Sequence, residues 1–295
     1  MGVAILMVIV CHAACCNLPM GVFTQVANYG LIGVDIFMLY SAYGLCYSYN
    51  KHRISEFYAR RYIRVVPMYL ILVCEALVRN ALSGGGMTNV IGVLSTSFFW
   101  GVGDISVDWY LTAMLYIYLL FPLFYNIISK FGLIAYIVLA ISFLLIAWYL
   151  PTTWFQDSAL CRMPIFLAGI VIYVAKKKSL VVSFLLSFFL LLTCFSYFSG
   201  KVCLTYYMAP FVICLLIFSV SVTNKVIRTK PVLEFIGKYT LELYVANYIV
   251  MRHVVQISST VERYVVYYGL ILLLAFFFGW LNERVQRYFA YGTIR

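Results

Sequence analysis

Charge is what this chain has least of. Only 11% of its 295 residues are Asp, Glu, Lys or Arg, and just 10 are acidic. Soluble domains carry about 25% charged residues and about 45–50% apolar ones. Here 65% of the residues are hydrophobic and the mean hydropathy is +0.98. No soluble fold has interior enough for that much apolar surface, so the chain reads as an integral membrane protein. A disulfide framework is missing too. The nine cysteines, an odd number, lie mostly inside apolar runs (Cys46, Cys74, Cys194, Cys214), where they serve as small packing residues. Soluble-domain stretches, extended linkers and internal repeats are absent. The start has no basic n-region or small-residue cleavage site, which argues against a cleavable signal peptide. The net charge of +11 does not indicate nucleic acid, because the basic residues form short clusters between apolar runs.

What is present is a succession of apolar stretches of membrane-spanning length. They predict an all-α, polytopic transmembrane bundle of about ten helices, at 1–17, 28–49, 65–82, 108–128, 132–150, 161–175, 180–199, 204–222, 239–257 and 265–281. Placing both termini in the cytoplasm puts 16 of the 21 basic residues on that side, including Arg60, Arg61, Arg64, Lys176, Lys177, Lys178 and Lys238. Only Arg79, Arg162, Lys201, Arg252 and Arg263 remain outside, as the positive-inside tendency requires. Trp100, Trp109, Trp148 and Trp154 then fall near the outer interface. The longest outer loop holds "SGGGMTNV" (Ser83–Val90), flexible by composition, which either shapes an acceptor site or, as the favoured reading, merely connects two helices.

Ionisable groups at membrane depth are expensive and tend to mark a site. The first is His12, at the end of the aliphatic run "MGVAILMVIVCHAACC"; the next is Asp35 in "GLIGVDIFMLYSAYG". At ~1.5 Å per residue, His12 lies about 8 Å below a helix end near Asn17, and Asp35 about 10 Å below a start near Asn28. The short connection makes these helices antiparallel neighbours, so the two groups are expected at one depth. A carboxylate that orients an imidazole is the usual support of a general base; a self-satisfied structural pair is the alternative. Arg60, Arg61 and Arg64, in "EFYARRYIRVVPMYL", lie at the mouth of the third span. They suit a polyanion with several phosphates, or else anchor the helix to lipid headgroups. Arg162 binds an anionic acceptor or snorkels to headgroups. Glu242 is a second acid, a partner for Arg162, or an inert group facing protein. In "CHAACC", His12 with Cys16 and Cys11 with Cys15 have metal-like spacing, but further ligands are not at hand, and no metal is expected.

Taken together these stretches resemble the membrane-bound acyltransferase family 3, bacterial multi-spanning enzymes that O-acylate sugars. The resemblance runs from the aliphatic run ending in His12 to "GVDIFMLYSAYGL", where family members carry Gly-Val-Asp-x-Phe and a Ser-Gly. It continues through "FYARRYIRVVPMYL", similar to the family's Arg-Arg-x-x-Arg-x-x-Pro, with weaker matches in "DWYLTAMLYIYLLFP", "RMPIFLAGI" and "LEFIGKYTLELYVANY". Asn247 stands where many relatives have His. The resemblance implies one membrane acyltransferase domain over residues 1–295, in the bacterial inner membrane. It also implies a basic flank before the first helix, so the true start is expected upstream of Met1.

The family likeness further implies acetyl-CoA as cytoplasmic acyl donor and a carbohydrate hydroxyl, on a polysaccharide or lipid-linked glycan, as acceptor. It carries an essential role to His12, and donor contacts to Arg61 and Arg64 with Arg60 adjoining. On this reading His12, oriented by Asp35, is the base or forms an acyl intermediate, while Arg162 and Glu242 are the candidate acceptor contacts. The alternative from another class is a transporter or flippase of a lipid-linked glycan, in which buried charges line a path and no bond is made.

Overall fold

The computed structural model describes residues 1–16, 18, 21, 24, 27, 29–99, 108–149, 158–198, 211–215, 231–254, 257 and 259–292. All regular structure among them is helical, as the composition required. The elements are α1 (Gly2–Cys15), a 3₁₀ turn (Tyr29–Leu31), α2 (Ile32–Lys51), α3 (Ile54–Leu82), α4 (Met87–Phe99), α5 (Trp109–Tyr149), α6 (Met163–Val174), α7 (Lys178–Phe198), α8 (Pro231–Lys238), α9 (Thr240–Val254) and α10 (Thr260–Gly292). The expected span 204–222 lies outside the described residues apart from 211–215, which are helical, and so do Trp100 and Trp154.

Three stretches, Ile54–Leu82, Trp109–Tyr149 and Thr260–Phe289, are long and apolar enough to cross a membrane. Large apolar side chains on α5 and α10 face outward, among them Ile134 at 73% exposure, Leu272 at 67% and Phe276 at 82%. Such surface is a liability in water and normal against lipid tails. The helical run of α5 breaks at Gly132, which takes φ +60°, a conformation other L-residues adopt only with strain. The two arms fold back on each other: Phe124 and Phe143 stack edge to face at 5.9 Å. In a straight helix those 19 residues would span roughly 28 Å. The expected spans 108–128 and 132–150 are thus the two arms of one hairpin.

Two expectations need correction. The third helix begins at Ile54, not near residue 65, so the arginines lie in its second and third turns. The polar start lowers hydropathy without lowering helicity: Glu56 occupies the first turn, where the macrodipole favours an acid, and bonds Arg60 one turn on. The "SGGG" stretch is likewise no loose connector. Gly84, at φ +72°, ends α3 in a Schellman motif, with Gly84 N–H donating to the Ala81 carbonyl (3.2 Å) and Gly85 N–H to that of Asn80 (2.9 Å). Three residues later α4 has begun.

Six helices close a ring: α1 packs on α2, α2 on α6, α6 on α5, α5 on α3, α3 on α9, and α9 back on α1. The hydroxyls of Tyr58 and Tyr62 donate to the carbonyls of Leu119 and Leu115, both at 3.0 Å, and lock α3 antiparallel to the first arm of α5. An aromatic cluster of Tyr49, Phe57 and Phe121 ties α2, α3 and α5 together at the basic end. Such ring pairs contribute about 0.5–1.5 kcal/mol each beyond burial.

The α1–α2 contact is close enough to fix a register. A Cβ on Gly30 would overlap the Met7 carbonyl oxygen, and one on Gly33 the Ala4 carbonyl oxygen. This antiparallel register sets Asp35 level with the first turn of α1. His12 therefore lies roughly 15 Å further along the axis at ~1.5 Å per residue. The expectation of equal depth is not met, because α1 extends well past the start of α2.

Candidate active site

The basic end of the ring encloses a cavity of about 220 Å³. Its walls are contributed by Phe37, Ser41 and Gly44 from α2, Arg61 and Arg64 from α3, Tyr110, Met114 and Tyr118 from α5, and Tyr244 from α9. Met1 closes the side next to α1.

Among the described residues, neither Arg61 nor Arg64 has an ion-pair partner, and the buried Nε of Arg61 makes no hydrogen bond. Arg60 differs. Its guanidinium points away from the cavity, donating from both Nε (3.1 Å) and Nη2 (2.7 Å) to Glu56 at the exposed surface. The structure therefore divides the predicted trio: two unpaired cations face the cavity and the third is satisfied outside it. Two guanidiniums without carboxylates form a ready anion site, and phosphate oxygens match their fork.

His12 sits in the last turn of α1, toward the opposite end of the ring. Its partner is on α9: Asn247 Nδ2 lies 2.6 Å from His12 Nδ1. Asn247 Oδ1 lies 2.7 Å from the Tyr267 hydroxyl of α10, which is also 2.9 Å from the Ile9 carbonyl oxygen. Asn247 and Tyr267 are both completely buried. Nε2 of His12 has no hydrogen-bond partner among the described residues. His12 is not among the side chains lining the basic cavity. The link is α9, where Asn247 follows Tyr244 by three residues, about 4.5 Å along one face.

Asp35 goes elsewhere. Its carboxylate accepts from Nε of Arg162 at 3.0 Å, with 1% and 5% of the respective side chains exposed. Arg162 also donates to the Ser158 carbonyl (3.1 Å), and its guanidinium lies 5.0 Å from the Trp109 ring centre. The Asp35 carboxylate thus neutralises an arginine and does not orient the imidazole, and Arg162 does not snorkel outward. Glu242 faces protein, accepting from Asn282 Nδ2 at 2.6 Å, with no hydrogen-bond partner for its second oxygen among the described residues. Neither Arg162 nor Glu242 lines the basic cavity. Among the described residues no three His, Cys, Asp or Glu side chains gather as metal ligands, and no disulfide joins the eight described cysteines.

Sequence reasoning gave no role to three residues of this region, Asp108, Tyr244 and Asn247. Asp108 is buried just before α5. One oxygen accepts from the Leu111 N–H (2.8 Å), capping the helix, and the other from the Tyr244 hydroxyl (2.9 Å). Tyr244 was hidden among 26 tyrosines, and only its place one turn from Asn247 distinguishes it. Asn247 stood out only as a replacement for the His of many relatives and was given no role, because a neutral amide is cheaper to bury than a charge. The pattern that could have exposed Asp108 is an acid directly before an apolar run, the signature of an N-cap.

A ring of apolar helices around an arginine-lined cavity, with an imidazole held toward the far end, defines a membrane protein with a built polar interior. A family profile described as the acyltransferase domain of acyltransferase family 3 matches residues 2–283. The chain belongs to that family and is an acyltransferase, which favours bond-making chemistry over the transport alternative. No curated protein and no solved structure matches the chain significantly.

Proposed function

We propose that the protein moves an acyl group, most simply acetyl, from acyl-CoA bound at the basic end to a carbohydrate hydroxyl presented near His12. The observation that carries this reading is the pair of guanidiniums, Arg61 and Arg64, that face one cavity with no ion-pair partner among the described residues, whereas buried Arg162 is neutralised by Asp35. The cavity, at about 220 Å³, is below the usual 300–1,000 Å³ of small-molecule pockets. It suits the slender arm of a CoA thioester, with the phosphates left at the mouth beside the exposed Arg64. The positive-inside tendency supports a cytoplasmic basic end, where acyl-CoA is made, and the family membership supports a multi-pass chain in the bacterial inner membrane.

The donor supplies an activated thioester carbonyl. Arg61 and Arg64 hold its anionic end, and the helix ring excludes water that would otherwise compete for the acyl group. His12 takes the proton of the acceptor hydroxyl as that oxygen adds to the carbonyl. The new C–O bond forms, the C–S bond breaks, and the thiolate leaves to be protonated. General-base assistance contributes typically about 10²–10⁴-fold. Met1, in the cavity wall with the arginines, and His12 are eleven residues apart on one helix, roughly 16 Å. Donor head and acceptor therefore approach from opposite ends. Asp35 and Arg162 are assigned to structure, and Glu242 to the α9–α10 contact.

The test is acceptor-dependent release of CoA thiol by the purified full-length chain, given acetyl-CoA and candidate cell-envelope glycans. Wild type is expected to release thiol and His12→Ala to fall by at least 10². Equal release by both would overturn the role given to His12.

A further inference from the structure

We infer that Asn247, itself held by Tyr267, keeps Nδ1 of His12 protonated and so leaves Nε2 as the bare nitrogen that serves the reaction. This rests on the role proposed for His12 and adds the positioning residue that Asp35 does not supply.

The number of hydrogens available around Tyr267 fixes the orientation of the Asn247 amide. The Tyr267 hydroxyl lies within hydrogen-bond distance of two oxygens, the Ile9 carbonyl at 2.9 Å and Asn247 Oδ1 at 2.7 Å. A phenol has one hydrogen to give, and neither a backbone carbonyl nor an amide oxygen can donate in return. One of the two contacts would then be oxygen against oxygen, with no water to relieve it, since Asn247 and Tyr267 are fully buried. Turning the Asn247 amide over exchanges its nitrogen and oxygen in the same space, an assignment that the hydrogen-bond network decides. Tyr267 then donates to Ile9, and Asn247 Nδ2 donates to the Tyr267 oxygen. Asn247 Oδ1 now faces the imidazole at 2.6 Å. An acceptor there demands N–H on Nδ1. In the neutral ring the lone pair is then on Nε2, the nitrogen without a protein partner among the described residues.

The chain of partners Ile9, Tyr267, Asn247, His12 joins α1, α9 and α10, so the bundle's own packing selects the tautomer. An amide is enough for this. It fixes ring orientation as the asparagine of Cys-His-Asn proteases does, while adding no charge to the site.

The tautomer can be read without turnover. Nitrogen-15 spectra of histidine-labelled full-length protein in detergent at pH 8 contain signals from His12, His52 and His253, and His12→Ala identifies the first by subtraction. The expected spectrum shows protonated Nδ1 and bare Nε2 for His12, with that preference lost in Asn247→Leu. In thiol-release assays Asn247→Leu is expected to lower kcat about 10²-fold or more with KM for acetyl-CoA unchanged. Asn247→Asp keeps an acceptor toward Nδ1 and is expected to restore most of that loss. A wild-type His12 with Nε2 protonated and Nδ1 bare overturns the inference, whether or not the variants fold. If His12→Ala is inactive while Asn247→Leu matches wild type in kcat, the inference fails and the proposed function stands. If His12→Ala is fully active, the proposed function fails and the reaction half of the inference falls with it.

Discussion

Breaking the Asp35–Arg162 pair is expected to cost far more than removing it. With 1% and 5% of the two side chains exposed and Nε–O at 3.0 Å, the pair is shielded from solvent and from salt. Substituting Arg162→Met alone strands a carboxylate between α2 and α6. Stranding one member of a buried pair costs about 3–5 kcal/mol, and the insertion cost of a lone charge at membrane depth, roughly 2.5–3.5 kcal/mol, points the same way. Loss of the guanidinium's contact with the Trp109 ring adds to it. The double variant Asp35→Leu with Arg162→Met leaves no charge to strand and is expected to recover most of the loss. The measurement is a double-mutant cycle on unfolding of the purified protein in mixed detergent micelles. Single substitutions costing under about 1 kcal/mol, or a double variant as unstable as the sum of the singles, would refute a neutralising pair sealed in the ring.

Other consequences concern the donor and the packing. Arg61→Ala and Arg64→Ala should each weaken CoA binding about 10-fold or more, as loss of a charge-assisted contact implies, whereas Arg60→Ala should leave it nearly unchanged because Glu56 holds that side chain. Titration calorimetry on purified protein checks this; equal effects at all three positions would contradict the division seen here. At Gly169 any Cβ would overlap the Leu39 carbonyl oxygen of α2. Gly169→Val should therefore separate α2 from α6 and lower the unfolding midpoint well beyond Gly44→Ala, where a Cβ meets open space. Tyr244→Phe leaves one oxygen of buried Asp108 without its side-chain donor and should cost about 1–3 kcal/mol in the same unfolding assay.

Helix existence was legible because each apolar run must satisfy its backbone internally in lipid. Helix limits were less so. The roughly three polar turns before Val65 are helical, helped by an acid in the first turn and i,i+4 charge pairing, to which a hydropathy window is blind. Lateral neighbours were hardest. The depth argument for His12 and Asp35 assumed that the two helices start level, and nothing in the periodicity of α1 or α2 encodes their relative height. That height is set by the Gly30 and Gly33 contacts, which became informative only once their opposing carbonyls were known. The costly residues His12, Arg61, Arg64, Asp35 and Arg162 announced themselves as buried or membrane-depth polar groups. Their partners were partly silent, since Asn247 and Tyr267 are common residue types whose importance lies in the atoms they face.

The central claim is that donor and acceptor meet inside the membrane from opposite ends of the helix ring. Reconstituting the full chain in sealed vesicles, with labelled acetyl-CoA offered only at the arginine face and glycan enclosed at the other, tests it directly. The account predicts label on the enclosed glycan with wild type and none with His12→Ala or with Arg61 and Arg64 both replaced. Labelling only when donor and glycan share one face, or labelling that survives His12→Ala, would contradict it.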